Sequence, residues 1–179
     1  MNHVIDKLID KIRKRKRELE EKEKTTSIII FLLGAGGRGL EKRKEICNKL
    51  ERIGIICLIP EIDLPLDVPP SLAEESVFRK SDVDLIFINV ESWGSAAEFI
   101  QFHLERSIAP KLRILTLWKY HPIYGKSSSY LTDFYLNHEA LYGHVYAYKE
   151  NEQDPFPTVE EIIIKLSLRY LWLKAIGKI

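Results

Sequence analysis

Residues 27–39 read SIIIFLLGAGGRG, and this stretch decides the fold. Its first seven residues form an apolar run with the length of a buried strand. Its last six form a glycine-rich turn that leads into a helical pattern. A strand that passes through such a turn into a helix is typical of the βα units of a parallel sheet. The sequence therefore predicts an α/β fold that begins at Ser27.

Apolar runs and helical patterns continue to alternate along the chain. After a first strand at Ser27–Leu33, strands are predicted at Ile55–Ile59, Leu85–Val90, Arg113–Trp118 and His144–Tyr148. The intervening helices are predicted at Leu40–Ile53, at Leu72–Lys80 with Ser71 as its cap, from a Ser95 cap to Ser107, and within Ser129–Leu141. This alternation predicts a flavodoxin-like (Rossmann-like) three-layer sandwich with a five-stranded parallel sheet of order 2-1-3-4-5. Ligands bind such sheets beyond the carboxyl ends of the strands, near the switch point between strands one and three.

The two ends of the chain add helices to this core. Residues 1–24 begin with aliphatic side chains at helical spacing and end in a run of charges, which predicts a charged N-terminal helix beside one α/β domain at 25–179. Thr158 and Glu161 form a capping-box pattern for a long apolar last helix, Val159–Ile176. That helix is expected to pack on the sheet. The N-terminal helix or a second subunit could cover its remaining faces, which leaves a homodimer open.

Composition narrows the class of protein. A chain of 179 residues with 45% hydrophobic residues suits one domain, and a net charge of +1 makes nucleic acid an unexpected partner. The basic cluster Arg13–Arg17 keeps RNA or DNA contact open as an alternative to a solvated helix face. The short apolar runs predict no membrane span and, with no signal-peptide core, a cytoplasmic protein. Cys47 and Cys57 are expected to be buried free thiols, and neither a metal nor a cofactor is predicted.

The first chemical candidate is the glycine-rich turn after strand one. Gly34, Gly36 and Gly37 allow the backbone to approach a ligand closely, and amides at the start of the next helix favour phosphate or ribose oxygens. Arg38 would add a charged donor. The alternative is a tight turn without a ligand.

The second candidate is the sequence ESWGSAAE at residues 91–98, which leaves strand three and enters a helix. Gly94 permits close approach, Ser95 is placed to cap the helix, and Glu98 lies one turn further on. A carboxylate at this switch point can act as a nucleophile or stabilise an oxocarbenium-like centre when a glycosidic bond breaks. The alternative is a simple capping box between Ser95 and Glu98.

These motifs resemble a known superfamily. The segments FLLGAG at 31–36, SDVDLIFI at 81–88 and GSAAEF at 94–99 are similar to the nucleoside 2-deoxyribosyltransferase-like group and its relatives, the TIR domains. The resemblance implies a flavodoxin-like fold in which Glu98 attacks or stabilises the sugar carbon of an N-glycoside. It also implies that Asp82, or else Asp84, holds the nucleoside. The glycine-rich first loop looks more like the SLOG family of nucleotide-binding and phosphoribohydrolase proteins.

Both resemblances imply a nucleoside, nucleotide or NAD-like ligand. The first hypothesis is therefore an enzyme that cleaves or transfers an N-glycosidic bond, with Glu98 as its catalytic carboxylate. Gly34, Gly36, Gly37 and Arg38 would then hold ribose or phosphate, and Asp82, Trp93, Gly94 and Ser95 would complete the ligand site. The second hypothesis is a non-catalytic nucleotide-binding or sensor module, and the third is a nucleic-acid-associated protein that uses its basic N-terminal helix.

Overall fold

The structure is a computed structural model that describes residues 2–65, 67–80, 82–151 and 155–179, without the side chains of residues 2–4. Met1 of the expected N-terminal helix and Ser81 of the quoted motif lie outside the described residues. Five parallel strands form one sheet in the order β2-β1-β3-β4-β5. The strands are β1 (Ile29–Leu33), β2 (Ile56–Leu58), β3 (Leu85–Asn89), β4 (Leu112–Leu117) and β5 (Val145–Tyr148). The predicted strand order is confirmed.

Helices cover both faces of the sheet. They are α1 (Asn2–Thr25), α2 (Arg38–Glu51), α3 (Pro60–Asp63), α4 (Pro70–Phe78), α5 (Trp93–His103), α6 (Tyr130–Tyr142) and α7 (Val159–Ala175). The short helix α3 lies in the segment between β2 and α4. Within the described part of the chain, no helix is long and apolar enough to cross a membrane.

Alternate side chains of β1 supply two separate hydrophobic cores. Ile30 and Leu32 join one core with residues of α2 and α7, whereas Phe31 and Leu33 join the other with residues of α4, α5 and α6. This alternation follows from the two-residue period of a strand. The molecule is therefore a three-layer sandwich, and both faces of its central strands are buried.

Two of the expected helix caps are wrong, and one is confirmed. Helix α5 begins three residues earlier than expected, because Ser92 accepts from the Ser95 amide and is the N-cap, while Ser95 is the third helical residue. Helix α4 begins at Pro70, so Ser71 lies inside it. Proline is favoured in the first turn because its missing N–H would have no intrahelical partner there. The capping box of Thr158 and Glu161 forms as predicted at α7.

The cysteines also depart from expectation. Cys47 of α2 and Cys57 of β2 are joined by a disulfide, with their Cα atoms 5.1 Å apart. Helix α2 packs back against the strand that follows it, which brings residues ten positions apart into contact. The expectation of two free thiols is therefore wrong, because spacing along the chain did not reveal this packing.

The exposure of side chains changes along helix α1. It packs against α7, and its burial begins at Leu19. The described side chains from Ile5 to Glu18 are all exposed. Residues 5–18 of α1 therefore extend away from the domain.

Candidate functional site

A cleft of about 1410 Å³ opens at the carboxyl edge of the sheet. It lies at the edge that the doubly wound order predicts. Its walls come from the segments that follow β1, β3, β4 and β5 and include Gly34, Asn89, Trp93, Lys119 and Tyr148. Residues far apart in sequence therefore meet there because all five strands end at this side.

The glycine-rich turn forms the β1 side of the cleft. Gly34 lines it, and a Cβ at this position would come within 3.3 Å of the main-chain oxygen of Asn89. Gly34 thus lets the ends of β1 and β3 approach closely. Gly37 adopts a φ of 58°, a left-handed conformation that favours glycine. Gly36, Gly37 and Arg38 are exposed in the same turn, beside the lining residues rather than among them.

Arg43 organises the base of this turn, although the sequence analysis missed it. Its guanidinium donates to the main-chain oxygens of Leu32, Gly34 and Ala35 at 3.0, 3.3 and 3.1 Å. It also donates to both carboxylate oxygens of Glu61, at 2.9 and 2.6 Å. The side chain is buried, and its Nε atom has no hydrogen-bond partner within the described residues. A signal was available, because Arg43 occupies the apolar stripe that Ile46, Cys47 and Leu50 continue along α2.

The start of α5 forms the β3 side of the cleft. Trp93 lines the cleft and is 93% exposed, so its ring is available for stacking on a planar ligand. Ser95 is buried, and its hydroxyl accepts from the amides of Glu91 and Ser92 at 3.2 and 3.0 Å. The Ser95 hydroxyl is thus used within the helix start. Gly94 is exposed and leaves room for close approach.

Glu98 lies in a cluster of carboxyl groups rather than on the cleft wall. Helices α4 and α5 pack side by side, since Gln101 donates to Glu75 at 3.1 Å. Burial raises the pKa of Glu98 to about 8, with a further increase from the negative charges of Glu74 and Glu61 and an opposing effect of Arg43. One carboxyl oxygen of Glu98, Oε2, is buried and has no hydrogen-bond partner among the residues described. This carboxyl group therefore keeps its proton at neutral pH.

Glu74 has similar properties and was not expected from the sequence. It is buried on α4, and burial together with the charge of Glu61 raises its pKa to about 7, against the effect of Arg43. Burial acts to raise the pKa of Glu61, but the hydrogen bonds from Arg43, a backbone hydrogen bond and the charge of Arg43 together lower it. Arg43 belongs both to this cluster and to the cleft wall, so it connects the two.

The two aspartates before β3 do not line the cleft. Asp84 accepts from the Ile29 amide at 2.9 Å and from Lys174 at 2.9 Å, which places it at the amino ends of β1 and β3. Asp82 precedes it at the same edge. The structure therefore does not bring Asp82 or Asp84 to the cleft with Gly34 and Trp93.

The remaining cleft wall carries charges and aromatic rings. Lys42, Lys119 and Lys149 line it, and Lys119 forms an ion pair with Glu150 at 3.1 Å. The Tyr148 hydroxyl donates to Glu91 at 3.1 Å. Such a wall can bind an anionic group and a planar ring together. Among the residues that the structure describes, no three histidine, cysteine or carboxylate side chains are placed to hold a metal ion.

No family model matches the chain, and no curated protein matches it.

Proposed function

We propose that this protein binds a nucleoside or nucleotide at the carboxyl edge of its sheet and acts on the N-glycosidic bond, with Glu98 as the catalytic carboxyl group. The observation that carries the proposal is the half-buried Glu98 carboxyl group, with its raised pKa and its buried, unpartnered oxygen Oε2. Glu98 lies on α5, the helix that follows β3, and Arg43 belongs both to its carboxyl cluster and to the wall of a cleft that can hold a charged, planar ligand. Strongly shifted pKa values of this kind concentrate at catalytic sites.

The chemistry would use two carboxyl groups in different protonation states. With pKa values of about 7 for Glu74 and about 8 for Glu98, the state in which Glu74 is ionised and Glu98 is protonated is the main one midway between these values. When the bond between the sugar carbon and the nitrogen of an uncharged base breaks, the electron pair goes to the base, and Glu98 donates the proton that neutralises the departing base. The Glu74 carboxylate would stabilise the positive sugar carbon until water or an acceptor hydroxyl attacks it and loses a proton to a carboxylate. The sugar would have to lie at the Arg43 end of the cleft for this transfer.

One observation favours a second candidate, a nucleotide-binding module without catalysis. Glu98 is not among the residues that line the cleft, so a ligand can occupy the cleft without contact with that carboxyl group. Gly34, Trp93 and Lys119 would then bind the ligand by themselves. The two candidates share a ligand class and differ in whether a product appears.

Product analysis separates them. The protein is incubated with NAD and a panel of nucleosides and nucleotides, and free base is measured by chromatography. Glycosidic chemistry predicts base release by the wild type, loss of release in Glu98→Gln, and a rate that falls above about pH 8 as the Glu98 proton is lost. Glu41→Gln, an exposed carboxylate on α2, is the matched control and should release base normally. Ligand-dependent thermal stabilisation without any product would instead identify the binding module.

A further inference from the structure

Glu91 is a carboxylate of the cleft that the proposed chemistry does not use. It follows β3, lines the cleft and is exposed. Trp93 lies two residues further along and lines the same cleft. Two residues span at most about 7 Å of chain, so one nucleoside can contact both side chains. A base stacked on Trp93 can therefore leave its sugar within reach of Glu91.

Tyr148 holds the Glu91 carboxylate from a buried position. Asn89 pairs with Leu115, and Leu117 pairs with Tyr148. Glu91, two residues past Asn89, therefore comes level with Tyr148 across β4. Tyr148 is 5% exposed, and its hydroxyl donates to Oε1 of Glu91 at 3.1 Å. Burial, together with the negative charge of Glu91, raises the pKa of Tyr148, so this hydroxyl keeps its proton and remains a donor.

The other oxygen of the Glu91 carboxylate is available to a ligand. Among the described residues, no cation pairs with Glu91 and no donor contacts its Oε2. Doubly wound nucleotide-binding folds commonly bind ribose through a carboxylate that accepts from its hydroxyls. Glu61, the acid that follows β2, is not available for this role, because both of its oxygens accept from Arg43. Glu45 also lines the cleft, but no side chain in the described part of the chain holds it as Tyr148 holds Glu91.

We infer that Glu91 is the ribose-binding residue of the cleft, and that the ligand is a ribonucleoside or ribonucleotide rather than a 2′-deoxy compound. Its Oε2 accepts from the 2′-hydroxyl, and Tyr148 positions the carboxylate. A 2′-deoxy sugar leaves that oxygen without a donor and loses a hydrogen bond to a charged group. Because β1 and β3 are neighbours in the sheet, a sugar held by Glu91 stays beside the switch point. The inference rests on the proposed function, since it takes a nucleoside or nucleotide as the ligand.

Isothermal titration calorimetry tests the inference with adenosine, guanosine, cytidine and uridine, their 5′-monophosphates, and the 2′-deoxy counterpart of each. Both members of a pair carry the same charge, so their affinity ratio does not respond to a general change in electrostatics. The wild type is expected to bind the ribose member of its preferred pair about tenfold more tightly.

Three variants assign this preference to its residues. Glu91→Ala should remove most of the preference by weakening the ribose member alone. Tyr148→Phe keeps the buried ring and should reduce the preference, because the carboxylate is no longer held. Glu45→Ala removes another exposed carboxylate of the cleft wall and should leave the preference unchanged. Circular dichroism confirms that each variant keeps its fold.

Equal affinities within every pair would overturn the inference. A preference that survives in Glu91→Ala, or that Glu45→Ala removes instead, would overturn it as well. If base release that depends on Glu98 accompanies any of these results, the proposed function stands and only the role of Glu91 fails. A ribose preference that depends on Glu91, without base release from any ligand, would support the inference and identify the binding module. Absence of binding by every compound would overturn both the inference and the ligand class on which the proposed function depends.

Discussion

At the scale of single residues, buried charge dominates the behaviour of the candidate site. A carboxyl group that loses water without gaining a hydrogen bond holds its proton more tightly, and Glu98 is in this position. The fold places Glu74 and Glu98 where ionisation of their carboxyl groups is unfavourable. These two groups therefore lower the free energy of unfolding over a defined range of pH. That decrease can be measured whether or not a substrate is known.

Replacement of Glu98 by glutamine is expected to flatten the dependence of stability on pH. Below the ordinary pKa of 4.5 the carboxyl group is protonated in both folded and unfolded chains, so the variant and the wild type should melt together. Between pH 4.5 and about 8 the unfolded chain releases the proton while the folded chain keeps it, and the wild type loses stability progressively. The variant should therefore become the more stable protein as pH rises, with a constant advantage above about pH 8.

Thermal unfolding followed by circular dichroism from pH 4.5 to pH 9 measures this difference. Glu41→Gln, which removes an exposed carboxylate, should keep the wild-type profile. A difference between Glu98→Gln and wild type that stays constant across the whole range would show that the Glu98 carboxyl group is not held protonated by the fold.

Arg43 is expected to be the residue whose loss most disturbs the base of the cleft. Arg43→Met would remove the donors to three main-chain oxygens and to Glu61, and should cost roughly 2–4 kcal/mol of unfolding free energy. It would also raise the pKa of Glu98 further, because Arg43 opposes the effect of burial there. Urea denaturation measures the first effect, and carbon NMR of the glutamate carboxyl groups measures the second.

The matched control is Lys44→Met, which removes a half-exposed cation next to Arg43 on the same helix. Surface ion pairs contribute about 0–1 kcal/mol, so this variant should be close to wild type in stability. Equal stability of the two variants would contradict the organising role of Arg43.

At the scale of secondary-structure elements, the strands were more predictable than the helix starts. Apolar runs such as Ile29–Leu33 can be buried on both faces only within a covered parallel sheet, and the alternation of strands and helices then restricts the order. The start of α5 was mistaken because Ser92 and Ser95 are both good caps three residues apart. Which of them accepts the first amide depends on where β3 ends, and that is a property of the packed sheet.

The link between α2 and β2 leads to a prediction for the disulfide. Cys47 and Cys57 close a loop with a sequence separation of 10 residues, and cross-linking a loop of this size stabilises a protein by roughly 2–3 kcal/mol through the unfolded chain. Reduction is therefore expected to lower the melting temperature. Differential scanning calorimetry with and without a phosphine reductant measures the change, and mass spectrometry after alkylation counts the thiols.

The double variant Cys47→Ser with Cys57→Ser is the control for reduction. It should melt near the reduced wild type and should not respond to the reductant. Two alkylated cysteines in the unreduced wild type would contradict the disulfide.

At the scale of the whole molecule, topology explains which parts of the site were predictable. The turn after β1 and the segment after β3 are separated by more than 50 residues, yet both were expected at one edge because parallel strands end together. The same rule places Asp82 and Asp84 at the opposite edge, since they precede β3. The resemblance that suggested a ligand role for them took no account of this edge. Glu74 could not be assigned from sequence, because its importance arises from contacts between α2, α3, α4 and α5, and for Arg43 the sequence indicated only a charged residue on the apolar stripe of α2.

The last prediction concerns the part of α1 that projects from the domain. Deletion of residues 2–18 is expected to leave the melting temperature of a dilute sample within about 2 °C of the full chain, because exposed surface positions contribute little to stability. Deletion through Thr25 should lower it clearly, because the last turns of α1, which are partly buried from Leu19 and pack against α7, would also be lost. A large loss of stability in the shorter deletion would mean that residues 2–18 belong to the domain itself.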